Sequence, residues 1–220
     1  MSEMHMSWGR KGGVGKTFVA SAMANHHHAA GRNPIIVDGD TDNPDLYRQY
    51  QETLECHLLD LDLEKGWEAL VDLTEKAGDR PVVVNTGARN KKGLAKYGDV
   101  LNELDDVTVL FVINTERDSL VLLKSFVSVV KTKLCVVKNG FWGEEEDFAL
   151  FRESSFADAP SVYFPRATEA IRNLMYSGRV PMHRLPENMT LGQRLLAKTW
   201  VRQADACIAE ALGKAAVVNV

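Results

Sequence analysis

Short apolar runs alternate with longer segments of helical periodicity along the whole chain. The runs predict strands at Met4–Trp8, Pro34–Val37, His57–Leu61, Pro81–Val84, Val107–Ile113, Leu134–Val137 and Ser161–Phe164. Several are unbroken blocks of Val, Ile and Leu, as strands covered on both faces are. His57–Leu61 reads either as an edge strand or as a loop. The intervening periodicity predicts helices over 17–30, 65–77, 92–104, 117–132, 144–154, 167–177 and 190–212, with Gly31 stopping the first. Strands and helices in alternation imply an α/β fold: a mostly parallel sheet of about seven strands with helices on both faces. No repeat, low-complexity tract or linker divides the chain, so residues 1–220 read as one domain.

In such a sheet, ligands sit beyond the carboxyl ends of the strands, so the residues just after each apolar run matter most. The first run is followed by Arg10-Lys11-Gly12-Gly13-Val14-Gly15-Lys16-Thr17 and then an Ala-rich helix from Phe18 to Ala30. Strand, glycine loop and helix in that order make an anion site: glycines let the backbone curl, and amide N–H groups at the helix start face the ligand. Lys16 supplies charge for β- and γ-phosphates, and Thr17 a hydroxyl for Mg²⁺. After the second run come Asp38 and Asp40, spaced to serve a hydrated cation and an attacking water. After the fourth comes Asn85, after the sixth Asn139, and after the last Pro165.

Composition narrows the picture. Of 220 residues 45% are hydrophobic, enough for a sizeable core, and the net charge of −4 excludes a polycation. No apolar run approaches the roughly 20 residues that span a bilayer, and the N-terminus lacks a signal-peptide pattern. The cysteines (Cys56, Cys135, Cys207) form no close pair, which fits a reduced cytoplasmic setting and argues against an iron–sulfur carrier. His26, His27 and His28 are consecutive on a helix, so their side chains diverge and do not read as a metal cluster. Glu144–Asp147 reads as a helix start, and Trp142 as a packing residue. Within the last helix, Leu196, Trp200, Ala204, Cys207, Ile208 and Ala211 form an expected apolar stripe, with Arg194, Lys198 and Arg202 opposite. The basic stripe reads either as a solvated face or as a contact for nucleic-acid phosphates without sequence preference.

The glycine loop departs from the strict phosphate-loop pattern, because Arg10 stands where its first glycine belongs. What remains, K-G-G-x-G-K-T, resembles the deviant Walker A motif of the ParA/MinD ATPases of the SIMIBI P-loop class. That resemblance implies ATP and Mg²⁺ as cofactors and residues 11–18 (Lys11, Gly12, Gly13, Val14, Gly15, Lys16, Thr17 and Phe18) as the nucleotide cradle. It implies an ATP-dependent homodimer in which Lys11 crosses to the partner's nucleotide, and a catalytic set of Lys11, Lys16 and Asp40. Asp40 would orient water, Asp38 and Thr17 would serve Mg²⁺, and Asn85 would take the magnesium-side place of the family's Asp. Asn139 and Pro165 would flank adenine, favouring ATP over GTP. The N-x-F-W-G string from Asn139 is similar to the TraL/StbB branch, small ParA-like proteins of conjugative and plasmid-stability operons. The implied output is positioning of plasmid DNA or a conjugation complex, with a partner protein stimulating hydrolysis, nonspecific DNA binding through Arg194, Lys198 and Arg202, and nucleoid association. Two alternatives stand beside it: a nucleotide-gated switch with little turnover, motivated by Asn85, and a MinD-like membrane positioner. The Ala-rich apolar face of the last helix argues against membrane insertion.

Overall fold

A computed structural model describes residues 2–9, 13–87 and 91–218. Its strands are β1 (Met4–Trp8), β2 (Ile35–Asp38), β3 (Cys56–Leu58), β4 (Val82–Asn85), β5 (Val107–Ile113), β6 (Lys133–Asn139), β7 (Ser161–Phe164) and β8 (Ala216–Val217). Among the described residues they form an 8-stranded sheet in the order β3-β2-β4-β1-β5-β6-β7, all parallel. β8 adds antiparallel to the start of β6, Leu134 opposite Ala216. The expected seven strands are all present; β8 was missed because two residues carry no periodicity. His57–Leu61 resolves as edge strand β3, shifted to Cys56–Leu58.

The helices are α1 (Lys16–Ala29), α2 (Asp45–Tyr50), α3 (Glu64–Lys76), α4 (Lys91–Tyr97), α5 (Arg117–Val127), α6 (Ala149–Arg152), α7 (Glu169–Tyr176) and α8 (Leu191–Lys214). Three of the expected helices are corrected. The segment 92–104 becomes α4 followed by a 3₁₀ turn over Gly98–Glu103, and 117–132 ends at Val127. The segment 144–154 breaks into a 3₁₀ turn at Glu145–Asp147 and the short α6, the acidic start forming a capping box between Glu144 and Asp147. α2 was missed because its six residues are too few to show a period.

Strand side chains alternate between faces. Met4, Met6 and Trp8 of β1 join Val82, Val84, Val109 and Phe111 in the core under α3 and α5. Ile36, Val83, Leu110, Cys135 and Val137 point the other way, into the core under α1, α7 and α8. On β1 the two residues facing α1 are polar. His5 Nδ1 lies 2.7 Å from His27 Nε2, and the Ser7 hydroxyl donates to the Lys16 carbonyl at 2.8 Å. The strand thereby pins both ends of α1. β1 sits at the centre of the sheet, between β4 and β5.

Candidate functional site

The loop leaving β1 turns into α1 through Gly13 and Gly15, at φ +80° and +104°. Gly15 is required twice over: its φ is left-handed, and a Cβ there would lie 2.0 Å from Asn139 Nδ2. It stands directly before α1, whose first turn carries no acidic residue, so the helix presents an uncompensated positive end. Lys16 is buried directly after the loop, and burial pulls its pKa down to about 8 against the opposing pull of Asp40 and Asp38. The Asp40 and Asp38 carboxylates act on the ammonium electrostatically and favour its charged form. Lys11 and Gly12 lie outside the described residues.

The loop forms part of the lining of a cavity of about 770 Å³. Gly13, Gly15, Lys16, Thr17, Phe18 and Asp40 belong to the lining. Val14 is buried behind it, its carbonyl accepting from Asn139 Nδ2 at 2.7 Å. Asn139 Oδ1 accepts from the Phe141 N–H at 3.1 Å, so this side chain ties the end of β6 to the phosphate loop. Pro165 also lines the cavity, and its carbonyl accepts the Trp200 indole N–H at 3.1 Å.

Asp38 and Asn85, at the ends of adjacent strands β2 and β4, are fully buried and stand behind the cavity wall. Asn85 Nδ2 donates to Asp38 Oδ1 at 2.9 Å. The Asp40 N–H donates to the same oxygen, and the Tyr47 N–H to Oδ2, which seats the start of α2. Burial raises the Asp38 pKa, and these three donors oppose the rise. Asp38 therefore contributes charge at one remove. Asn85 Oδ1 is a buried acceptor with no partner. Thr17 and Asp40 at the wall, with this orphaned acceptor behind them, suit an ion that keeps most of its waters, as Mg²⁺ does. Other clusters do not: among the described residues no three His, Cys, Asp or Glu side chains converge as metal ligands. The histidine triplet diverges as expected, His26 to Asp205, His27 to His5 and His28 to the His183 ring. Cys135 and Cys207 are buried, with thiols pushed up to about 12 by desolvation.

A further part of the lining escaped sequence reasoning. Phe141, Trp142, Phe164, Arg172, Asn173 and Tyr176 belong to it. The Arg172 guanidinium lies 5.1 Å over the Phe141 ring and donates to the Ala167 carbonyl at 2.9 Å. Tyr176 packs on Phe18 at 5.1 Å between ring centroids. The available signal was positional: an aromatic pair directly after β6, and Arg172 and Tyr176 one turn apart on α7. Trp142 packs edge-on against Phe141, as expected, yet also faces the cavity. On α8 one member of the expected apolar stripe is misplaced: Leu196 is 64% exposed, because the helix reaches the body of the protein only at Ala197. Arg194, Lys198 and Arg202 are exposed and distant in sequence from every cavity residue. No described helix is long and apolar enough to cross a membrane.

No family model matches the chain. Protein MobD of Acidithiobacillus ferrooxidans is 35% identical over 213 residues, which cover 91% of this chain and 94% of that protein. The chain belongs to the MobD family. Solved structures extend the likeness of this MobD-family chain at the level of fold. A protein of Borrelia burgdorferi described as a plasmid partition protein, bound to AMPPNP, superposes with a TM-score of 0.68 at 13% identity, covering 97% of this chain and all of that one. MinD of Pyrococcus horikoshii, complexed with Mg-ADP, gives 0.51 at 18% identity over 93% and 95% of the two chains. The MobD-family chain thus has the ParA/MinD-type P-loop fold.

Proposed function

We propose that this MobD-family chain is an ATP- and Mg²⁺-dependent switch with ATPase activity that positions plasmid DNA or a protein complex during plasmid partition or conjugative transfer. The observation that carries the reading is the buried Lys16 directly after the Gly13–Gly15 turn, lining together with Asp40 a cavity large enough for a nucleotide. Lys16 and the α1 N-terminus would hold the phosphates, Thr17 the hydrated magnesium, and Asp40 the attacking water; magnesium would add charge neutralisation on the phosphate oxygens. Lys11 would act across an ATP-bound homodimer, and a partner protein would speed turnover. The fold shared with nucleotide-bound partition and MinD proteins supports the cofactor assignment. The N-x-F-W-G string supports placement near the TraL/StbB branch.

Asn85 favours a second reading, a gated binding switch with slow hydrolysis. It brings an amide where an acid would add negative charge beside the metal, and that amide already binds Asp38. Both readings require nucleotide binding; they part at turnover. The test is titration of purified protein with ATP and Mg²⁺, followed by phosphate release and light scattering. ATP-dependent dimerisation lost in Lys11→Ala, with phosphate release lost in Asp40→Ala, is expected. Failure of the wild-type chain to bind ATP would overturn both readings.

A further inference from the structure

α8 begins well before it meets the body of the protein. Every residue from Leu191 to Leu196 is exposed, and Ala197 is the first to be buried. The helix nonetheless starts cleanly. Thr190 and Gln193 form a capping box, with the Thr190 N–H donating to Gln193 Oε1 at 3.2 Å. A turn and a half of helix is therefore exposed, with Arg194 reaching back to the Met189 carbonyl. Three large apolar residues sit on it: Leu191, Leu195 and Leu196 are 71%, 59% and 64% exposed. Leaving leucines in water on an ordered, exposed turn gains no folding stability, and such exposure marks a contact surface.

The charges on this segment define the contact. Leu191, Arg194, Leu195, Lys198 and Arg202 follow three- and four-residue spacing and share one face, opposite the buried face of Trp200, Ala204 and Ile208. Two leucines are thus set inside the basic stripe. No acidic residue occurs from Leu191 to Arg202. Symmetric docking of two copies through this face would set like charges against each other. Phosphate contacts draw on charge alone and gain nothing from leucines at the centre of the footprint. A lipid surface requires a long apolar face, whereas beyond Leu196 the outward residues are Lys198, Thr199, Arg202 and Gln203.

We propose that the exposed start of α8 is the docking element for an acidic amphipathic helix of another protein, whose apolar residues cover Leu191 and Leu195 and whose carboxylates meet Arg194, Lys198 and Arg202. Apolar anchors would supply affinity, and the flanking charges orientation and encounter rate. The face is separate from the nucleotide cavity, so the proposal stands whether or not the chain hydrolyses ATP.

The test uses full-length protein without nucleotide and a fluorescent synthetic helix carrying leucine at i, i+3, i+4 and i+7 and glutamate elsewhere. Saturable binding is expected, weakened about tenfold or more in the Leu191→Ala/Leu195→Ala double variant. Lys198→Glu/Arg202→Glu should lose this peptide and gain the counterpart with lysine in place of glutamate. All substituted positions are exposed, and circular dichroism confirms that each variant folds. Parallel titrations use phosphatidylglycerol vesicles and duplex DNA. No binding of the acidic helix by the wild-type chain, or equal binding by the leucine variant, would overturn the proposal. So would leucine-dependent binding of vesicles or DNA without binding of the peptide, which would assign the face to lipid or nucleic acid.

Discussion

One part of the cavity lining is backbone and charge, Gly13, Gly15, Lys16 and Thr17 with Asp40, while another is aromatic: Phe18, Phe141, Trp142, Phe164 and Tyr176. The first is built by position. Its atoms are held by short bonds from Ser7 and Asn139, and its electrostatics depend on one buried ammonium. The second is built by surface, rings and a guanidinium that offer faces to any flat ligand. A wall that works by position fails when one atom is lost; a wall that works by area degrades gradually. Under the proposed function, the first would select the ligand's phosphates and the second would hold its base.

The largest expected effect follows from removing the ammonium. Lys16→Ala should weaken ATP binding about 100-fold or more, since charge-assisted contacts to phosphate are lost in a buried site; calorimetry reads it, and affinity within threefold of wild type would erase the distinction between the walls. Asp40→Ala comes next. Phosphate release should fall about 100-fold while ATP affinity stays within a few-fold, because water orientation acts in the transition state; parallel losses in both would show that Asp40 belongs to binding instead. On the aromatic wall, Phe141→Ala or Tyr176→Ala should cost about tenfold in affinity, equally for ATP and GTP, as expected for stacking worth about 1–3 kcal/mol per base. A loss confined to ATP would mean that this wall reads the base edge after all. Asn85→Asp should raise magnesium affinity severalfold in the presence of ATP, measured by metal titration, by adding charge beside Asp38. The smallest effect on the cavity concerns the far end of α1. Burial, with the neighbouring His5 and His26, holds His27 down to about 3 from its usual value near 6.5. The unfolded chain therefore binds a proton between those values that the folded chain does not, and stability falls as pH drops from about 6.5 towards 3. The urea midpoint should decline from pH 7 to pH 5, and less so in His27→Phe; equal declines would remove His27 from the account.

The positional wall was the legible one. Glycines, a lysine and a threonine at fixed spacing after an apolar run announce a phosphate loop, because backbone curvature and amide direction are set locally. The parallel sheet was legible for a similar reason, since strands covered on both faces are unbroken apolar blocks such as Val107–Ile113. Phe141, Arg172 and Tyr176 come from two separate elements, and only the packing of α7 against the end of the sheet brings them together. Asn139 illustrates the limit within one residue. Its place at the end of β6 was readable, whereas its two bonds, to Val14 and Phe141, depend on how closely the loop approaches. Leu196 shows the same limit on α8: periodicity reports a helix's apolar stripe, not where along its length the body of the protein begins.

The polar pair on β1 bears on how far this protein tolerates redesign. His5 and Ser7 lie on the most enclosed strand of the sheet, where a strand-forming pattern would favour valine or isoleucine. Substituting them would improve the local pattern while leaving the Lys16 carbonyl and the His27 ring without their partners. Thr86 adds to the constraint, because its hydroxyl donates to the Ser7 carbonyl at 2.9 Å and so ties the end of β4 to the same point. A library that optimises this core by hydrophobicity alone would discard functional chains first at its centre, and one that fixes His5, Ser7 and Thr86 could vary the surrounding methionines, Met4 and Met6, with far less risk.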